Sequence, residues 1–281
     1  MALGRVGVWS WLPASGLDQA VEAVAELERL GFGTFWFPES PASFDIARAL
    51  LGGTTSLVVA TGIVSIWKHP PGEAAAAHRE LAAAHPGRFL LGLGVSHAFL
   101  LEGQYRRPLA KMREYLDELD AAQPPVPASE RVLAALGPRM LELARERSAG
   151  AHPYLVTPEH TRRAREILGP DRLVATEQAV VLETDPVRAR ELARQHLAIY
   201  LGAPNYTNNW LRLGFGEDDL AGGGSDRLVD ALVAWGDAGA IRRRVAQHHE
   251  AGADHVCLQV VTGEFRAPLE EWRTLAAALD L

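Results

Sequence analysis

The chain of 281 residues is predicted to fold as an α/β protein, a (β/α)8 TIM barrel with insertions. Apolar segments of strand length alternate with segments of helical periodicity, and parallel strands need such helical crossovers. The length suits one large barrel domain, residues 1–281, better than two average domains. Several predicted strands end in glycine followed by small or polar residues, which is typical of the ligand-binding strand ends of barrels.

The competing fold is an open, doubly wound sheet. Such a sheet commonly binds dinucleotides through a Gly-x-Gly-x-x-Gly sequence between its first strand and the following helix. No such sequence follows the first predicted strand, at residues 5–11, so the barrel is favoured.

The first half of the chain contains four predicted strand–helix units. The first strand is rich in Val and Trp and alternates in polarity. In the first helix, apolar residues recur at helical spacing from Leu17 to Leu30, Ser15 is a candidate N-cap, and Gly31 ends the helix. The strands are predicted at residues 5–11, 34–37, 57–63 and 89–93, and the helices at 17–30, 44–51, 73–84 and 108–119.

Four more units are predicted in the second half, where proline marks the starts of the helices. Pro138 takes the first helical position, which proline favours. Thr157, Pro158 and Glu159 are typical of an N-cap, a first-turn proline and a first-turn acid. The strands are predicted at residues 132–136, 154–156, 173–182 and 255–261, with helices that begin at 138, 158 and 186 and a last helix at 269–279.

Residues around 201–225 fit neither pattern. This segment contains Asn205, Tyr206 and Trp210 and ends in three consecutive glycines. We interpret it as an insertion. It is either a lid over the mouth of the barrel or a surface excursion without a role, and the sequence leaves both alternatives open.

Composition excludes several classes of function. The single cysteine, Cys257, excludes an internal disulfide and suits a reducing cytoplasm. A formal net charge of -7 argues against a nucleic-acid partner. No run reaches the roughly 18 apolar residues of a membrane span, and the first residues lack the pattern of a secretory signal. We expect a cytoplasmic protein that binds a small molecule.

Common catalytic motifs are absent from the sequence. No pair of histidines has convincing metal-ligand spacing, so no metal is expected. There is no Gly-x-Ser-x-Gly and no phosphate-binding loop of the Gly-Lys-Ser/Thr type. Cys257 lies in an apolar strand, where packing is a simpler explanation than reactivity.

What remains is a barrel mouth rich in tryptophan and glycine. Trp9, Trp11 and Trp67 lie near predicted strand ends, which suits a planar and mostly apolar ring. A redox cofactor could supply the chemistry there and leave only orientation and proton transfer to the protein. The polar residues near these strand ends are Glu39, Ser40, Ser65, Ser96 and His97.

Five segments resemble the luciferase-like monooxygenase superfamily, and in particular its branch that depends on coenzyme F420, an 8-hydroxy-5-deazaflavin. They are TGIVS (61–65), GRFLLGLG (87–94), ALGP (135–138), GAHPYLVTPEH (150–160) and AGADHV (251–256). The resemblance implies a barrel, often homodimeric, with the cofactor at the carboxyl ends of the strands. It also implies a non-prolyl cis peptide behind the ring, which matches the bond between Gly62 and Ile63.

The resemblance also implies site residues. The phosphate of the cofactor would lie near Thr157 and His160, where helix amides favour an anion, although an ordinary helix start explains the same pattern. The substrate side would be formed by Trp9, Trp11, Trp67, Tyr206 and Trp210. The implied cofactor-binding residues are Glu39, Gly62, Ile63, Ser65, Gly94, Val95, Ser96, Leu136, Gly137, Thr157, Glu159 and His160.

Two positions depart from the pattern of characterised relatives, which often carry a histidine after the second strand and a glutamate after the fourth. Here Ser40 and His97 occupy them. They are the candidate catalytic residues, and the ordinary pKa of histidine, about 6.5, suits His97 to proton transfer.

The predicted function is that of an F420-dependent oxidoreductase that transfers a hydride between C5 of the deazaflavin and an organic small molecule. The alternatives are a two-component monooxygenase that uses FMN, and a flavin-binding member without catalytic activity.

Overall fold

Parallel strands form the centre of the molecule. The structure is a computed structural model that describes residues 2–11, 16–101, 103–264 and 266–281. The strands are β1 (Val6–Trp9), β2 (Thr34–Phe37), β3 (Val58–Thr61), β4 (Val64–Ser65), β5 (Phe89–Gly94), β6 (Arg131–Leu133), β7 (Gly150–Ala151), β8 (Leu173–Val181), β9 (Val233–Trp235) and β10 (His255–Val260).

Helices cover the outside of the strands and return the chain to the other end of the molecule. None in the described ranges has the length and apolar character that a membrane crossing needs. The helices are α1 (Leu17–Arg29), α2 (Ser43–Gly52), α3 (Pro71–Ala84), α4 (Pro108–Ala121), α5 (Pro138–Arg147), α6 (Pro158–Leu168), α7 (Pro186–Leu201), α8 (Pro204–Arg212), α9 (Glu217–Leu220), α10 (Asp226–Leu232), α11 (Ala238–Glu250) and α12 (Leu269–Leu279).

The barrel is closed by β10. Within the described ranges, eight parallel strands follow one another around it in the order β1, β2, β3, β5, β6, β7, β8 and β10. Val256 of β10 lies opposite Val6 of β1 on one side and opposite Thr176 of β8 on the other. The predicted (β/α)8 fold is therefore confirmed. The third strand was predicted at residues 57–63 but ends at Thr61, and the separate strand β4, which pairs with β5, follows beyond the predicted bounds.

The sixth predicted strand, at residues 154–156, is wrong. The barrel strand at this place is β7, and residues 154–156 belong to the loop that follows it. The loop is apolar because it is buried. Leu155 is fully buried, has a φ of 51° and donates its backbone N–H to Glu177 Oε2. Such a left-handed residue cannot continue a strand. The loop was predicted as a strand because its buried position requires apolar residues, as a buried strand does.

Two further features were not predicted. β9 follows α10 without a turn signal and pairs with the upper end of β8, where Ala234 lies opposite Val180. Within the predicted insertion, the chain forms α8 and α9 instead of one irregular excursion. The candidate N-cap Ser15 lies outside the described residues.

The inside of the barrel is filled by side chains. Trp36 lies at its centre and donates its indole N–H to His255 Nε2 over 3.1 Å. Cys257 is buried in the same cluster, and burial raises the pKa of its thiol well above the ordinary value. The thiol therefore stays protonated, and its role is packing. Gly92 leaves no room for a side chain, since a Cβ atom would lie 1.9 Å from the Thr61 carbonyl oxygen.

Candidate active site

A cavity of about 940 Å³ opens at the carboxyl ends of the barrel strands. Residues that follow β1, β2, β3, β5, β6 and β7 form its floor and sides, and the first turns of α4 and α5 together with α7 and α8 contribute to the walls. The predicted site residues that line it are Trp9, Trp11, Glu39, Gly62, Ile63, Gly94, Val95, Ser96, His97, Leu136, Gly137 and Tyr206.

Other predicted residues brace this cavity from behind without lining it. Trp67 donates its indole N–H to the Val95 carbonyl oxygen over 2.8 Å. Trp210 is fully buried and donates its indole N–H to the Leu155 carbonyl oxygen over 3.2 Å. This hydrogen bond anchors α8. Ser40 shapes its own loop, where its carbonyl oxygen accepts a hydrogen bond from the Ser43 hydroxyl. The predicted residues that do not line the cavity are Ser40, Ser65, Trp67, Thr157, Glu159, His160 and Trp210.

The predicted phosphate segment lies at the start of α6. Thr157 is the N-cap, as expected, because its hydroxyl accepts a hydrogen bond from the His160 N–H. His160 Nε2 donates to the Leu136 carbonyl oxygen over 2.9 Å. Burial lowers the pKa of His160 to about 4, so this ring is neutral near pH 7 and provides no positive charge for an anion. Its contact instead holds the backbone of Leu136, which does line the cavity.

Backbone forms one wall of the cavity after β3. The bond between Gly62 and Ile63 is cis, as the resemblance implied. The Gly62 carbonyl oxygen accepts a hydrogen bond from Trp9 Nε1 over 3.3 Å. A Cβ atom on Gly62 would lie 2.6 Å from that nitrogen, so any side chain there would displace Trp9. A Cβ atom on Gly94 would lie 2.5 Å from the Ile63 side chain. The wall is therefore compact only because both positions are glycine.

His152 lies beneath this wall and was not predicted. Its ring stacks on Trp36 at a centroid distance of 4.2 Å, and its Nδ1 donates to the Ala175 carbonyl oxygen over 2.8 Å. Its Nε2 has no hydrogen-bond partner among the described residues and lies 3.1 Å from the Cβ position of Gly62. Burial lowers the pKa of His152 to about 4, so the ring is neutral near pH 7. The only signal in the sequence was a His-Pro pair after a short strand.

A row of three titratable residues runs from the cavity to the surface. Glu39 lines the cavity, and its Oε1 lies 3.1 Å from His69 Nε2, while His69 Nδ1 lies 3.1 Å from the half-exposed Glu73. Burial raises the pKa of Glu39, and the Ser65 N–H and His69 offset this only in part. Burial lowers the pKa of His69, but hydrogen bonds with Glu73 and Glu39 outweigh it and leave the pKa above 6.5. The spacing of four between His69 and Glu73 is the signal that could have indicated this pair.

Positive charge borders the mouth of the cavity. Lys68, Arg107, Arg139 and Arg212 line it, and none forms an ion pair with a carboxylate of the described part of the chain. Arg212 Nη2 lies 3.7 Å from the Cβ position of Gly137, the N-cap of α5, where no side chain caps the helix. Free amides and the helix dipole favour an anion at such an end, and two arginines beside it strengthen this preference.

Aromatic side chains form another part of the wall. Trp9 packs against Trp11 at a centroid distance of 5.8 Å and against Tyr154 at 5.3 Å. Tyr200 and Tyr206, from α7 and α8, lie 5.0 Å apart. Burial raises the pKa of Tyr200 to about 12, and that of Tyr206 also rises well above the ordinary value. These hydroxyls therefore remain protonated near neutral pH.

His97 lies beside this aromatic cluster. Its ring stacks on Phe99 and lies 5.6 Å from the Tyr206 ring. Burial lowers the pKa of His97 below 6.5, and the nearby Asn205 side chain offsets this in part. Near pH 7 the ring is mainly neutral and can accept a proton from a ligand in the cavity.

Comparisons with known proteins agree with this architecture. A relative from Mycobacterium tuberculosis, named as a coenzyme F420-dependent oxidoreductase, is 26% identical, with 99% of this chain and 98% of the relative covered. Two F420-dependent enzymes have similar structures, a secondary alcohol dehydrogenase and the tetrahydromethanopterin reductase of Methanopyrus kandleri. Both have a TM-score of 0.76, with sequence identities of 13% and 14%, and the alignments cover at least 98% of each chain.

A structure that binds a different flavin has the same fold. It is the oxygenating component of 3,6-diketocamphane monooxygenase from Pseudomonas putida in complex with FMN, with a TM-score of 0.71, 14% identity and 99% and 98% of the two chains covered. The family described as luciferase-like monooxygenase matches residues 1–255. Since that match spans most of the sequence, the chain belongs to the luciferase-like monooxygenase family.

Proposed function

We propose that the protein is an F420-dependent oxidoreductase that transfers a hydride between C5 of the deazaflavin and an organic small molecule. The observation that carries this proposal is one cavity that combines a compact backbone wall, an uncapped helix N-terminus beside two arginines, and an aromatic wall. The backbone wall suits a planar ring, and the helix N-terminus suits the phosphate on the side chain of that ring. The aromatic wall suits an organic substrate. The relative from M. tuberculosis supports F420 as the cofactor.

The residues present fit such a group. Gly62, Ile63 and Gly94 would support the ring, and Glu39 would bind its polar edge. Arg139 and Arg212 would hold the phosphate at the N-terminus of α5, in place of the Thr157 segment, which does not reach the cavity. Bound there, the deazaflavin would supply two-electron hydride chemistry. The protein would orient the reactants, limit the access of water and move a proton at His97.

Titration of the protein with oxidised F420 and, separately, with FMN tests the cofactor. We expect F420 absorbance and fluorescence to change at micromolar protein, and FMN to bind at least about 10-fold more weakly. Tighter binding of FMN would instead favour the monooxygenase alternative. No response to either compound would contradict the proposal.

The role of His97 predicts a pH dependence. To accept a proton during substrate oxidation, His97 must be neutral, so kcat should rise with pH through a pKa below 6.5 and then level off. During substrate reduction, His97 must be protonated because it donates a proton, so kcat should fall as the pH rises through the same pKa.

The variant His97→Gln should lose this pH dependence and about 10²-fold in kcat, because a proton-transfer group is removed. Its affinity for F420 should be unchanged, which separates proton transfer from cofactor binding. A variant with the kcat of the parent would exclude His97 from the reaction.

A further inference from the structure

The aromatic wall of the cavity carries no fixed charge. None of the four cations that line the cavity stacks on Trp9, Trp11 or the tyrosines. A fully buried acid close to this wall is Glu177, which accepts a hydrogen bond from the Leu155 N–H. Burial raises the pKa of Glu177 to about 8, so its carboxyl group is mostly neutral near pH 7. A charged ligand group here would lose its hydration without gaining a counter-charge, which is unfavourable.

Hydrogen bonding leaves one hydroxyl of this wall available. Tyr154 donates its O–H to Gln259 Oε1 over 2.7 Å, so the 3.0 Å contact between Tyr154 and Tyr200 uses the proton of Tyr200. The hydroxyl of Tyr206, which lines the cavity, bonds to no group in the described ranges. The ordinary tyrosine pKa of about 10, which burial raises further here, keeps this hydroxyl protonated near pH 7. Tyr206 is therefore a hydrogen-bond donor without an acceptor, and a carbonyl oxygen of a ligand would satisfy it.

The rim of the cavity extends this apolar character to the surface. Trp11, Leu100 and Ile199 all line the cavity, yet they are 51%, 49% and 54% exposed. They belong to three different parts of the chain, the end of β1, the loop after β5 and the end of α7. An apolar rim on three sides suits a ligand whose apolar body reaches the mouth.

We propose that the organic substrate is an uncharged, flat and mostly apolar carbonyl compound, such as a conjugated enone. Its body would pack between the Trp9–Trp11 pair and the Tyr200–Tyr206 pair, and its carbonyl oxygen would accept a hydrogen bond from the Tyr206 hydroxyl. This inference rests on the proposed function, since it assigns Arg139 and Arg212 to the phosphate of the cofactor.

Three probes of nearly equal shape test this proposal by isothermal titration calorimetry, on the full chain with and without F420. They are 4-phenylbut-3-en-2-one, a neutral enone; cinnamate, in which a carboxylate replaces the methyl ketone; and β-methylstyrene, which lacks the carbonyl group. With F420 bound, the enone should bind at least about 10-fold more tightly than cinnamate, because the carboxylate must be desolvated.

The variant Tyr206→Phe removes only the hydroxyl. It should weaken binding of the enone by about 10-fold, the contribution of one hydrogen bond, without changing the affinity for β-methylstyrene. Tyr115→Phe is the matched control, since Tyr115 is fully buried in the core cluster outside the cavity and should leave both affinities unchanged.

Three results would overturn the inference. They are equal binding of cinnamate and enone, an unchanged enone affinity in Tyr206→Phe, and the absence of enone binding at millimolar concentration while F420 binds normally. The last result leaves the proposed function intact. Failure of F420 to bind contradicts the proposed function, and the titration without cofactor still decides whether the aromatic wall selects the neutral enone.

Discussion

Replacement of both Arg139 and Arg212 by glutamine is expected to weaken F420 binding by about 100-fold or more. Each arginine would contribute charge-assisted hydrogen bonds to the phosphate at the N-terminus of α5, where hydrogen bonds to charged groups are worth about 1.5–3 kcal/mol each. Glutamine keeps a polar side chain of moderate length but removes the charge. The measurement is a fluorescence titration of oxidised F420 at fixed ionic strength, because salt screens exposed charges.

A matched control separates a local effect from the change in net charge. Arg145 and Arg242 are exposed, do not line the cavity and contact carbonyl oxygens of Ile167 and Ala278, and Arg242 also forms an exposed ion pair with Asp280. The double variant Arg145→Gln/Arg242→Gln changes the net charge equally and should bind F420 as the parent does. If both double variants lose the same affinity, the effect is only general electrostatics. If neither loses affinity, the phosphate binds elsewhere, and Lys68 and Arg107, the other two cations that line the cavity, become the first alternative.

Acidification from pH 7 to pH 4 is expected to unfold the protein cooperatively. Burial lowers the pKa values of His152, His160, His196 and His255 to about 4 and that of His248 to about 3. In the unfolded chain the same rings have a pKa of about 6.5. The unfolded state therefore binds more protons below pH 6.5, so stability is present above that pH and is lost as the pH falls towards the folded-state values.

The expected loss is large. A shift from 6.5 to about 4 corresponds to about 3 kcal/mol for each ring, and the total stability of a domain is typically about 5–15 kcal/mol. Two such histidines correspond to about 6 kcal/mol and all five to about 15 kcal/mol, so together they match the whole stability of a typical domain. Denaturant unfolding followed by circular dichroism at several pH values between 8 and about 4 gives the free energy of unfolding at each pH, and therefore its slope against pH.

His196→Leu tests the explanation. His196 lies beside Tyr200, and its Nε2 has no hydrogen-bond partner among the described residues. The leucine variant should therefore show a smaller slope of the free energy of unfolding against pH, because the contribution of one histidine is removed. The same measurement on His85→Gln is the control, since His85 follows the last turn of α3 and is not buried. Equal slopes in both variants would contradict the assignment.

The fold was predictable because its signals are local. Strand-length apolar runs, helical periodicity and Pro138 at a helix start all reflect neighbouring residues in the chain. The error at residues 154–156 has the same origin, since a buried loop and a buried strand need the same apolar side chains. The short β9 had no local signal, because its three residues are held by contacts with distant parts of the chain, such as the pairing with β8 and the packing of Val233 in a buried cluster.

The candidate site was predictable only in part. Residues directly after the strands, such as Gly94 and His97, do line the cavity, because parallel strands all end on one face of a barrel. Arg212 and His152 were missed, since their positions depend on how α8 and the loop after β7 pack on distant elements. The homodimer and the cytoplasmic location that the sequence led us to expect stay predictions.

The cofactor and the substrate are proposed to contact different parts of the fold, the barrel strand ends and α8. This separation affects which positions can change without loss of the fold. The wall proposed for the cofactor consists of main chain and glycines at the strand ends, where replacements disrupt the scaffold. Tyr206, by contrast, projects from a short helix that is fastened behind by Trp210. Random changes at the cavity-facing positions of that helix, with Trp210 retained, should yield altered substrate preferences far more often than changes at the strand ends. The same helix is the natural starting point for laboratory evolution of new selectivity.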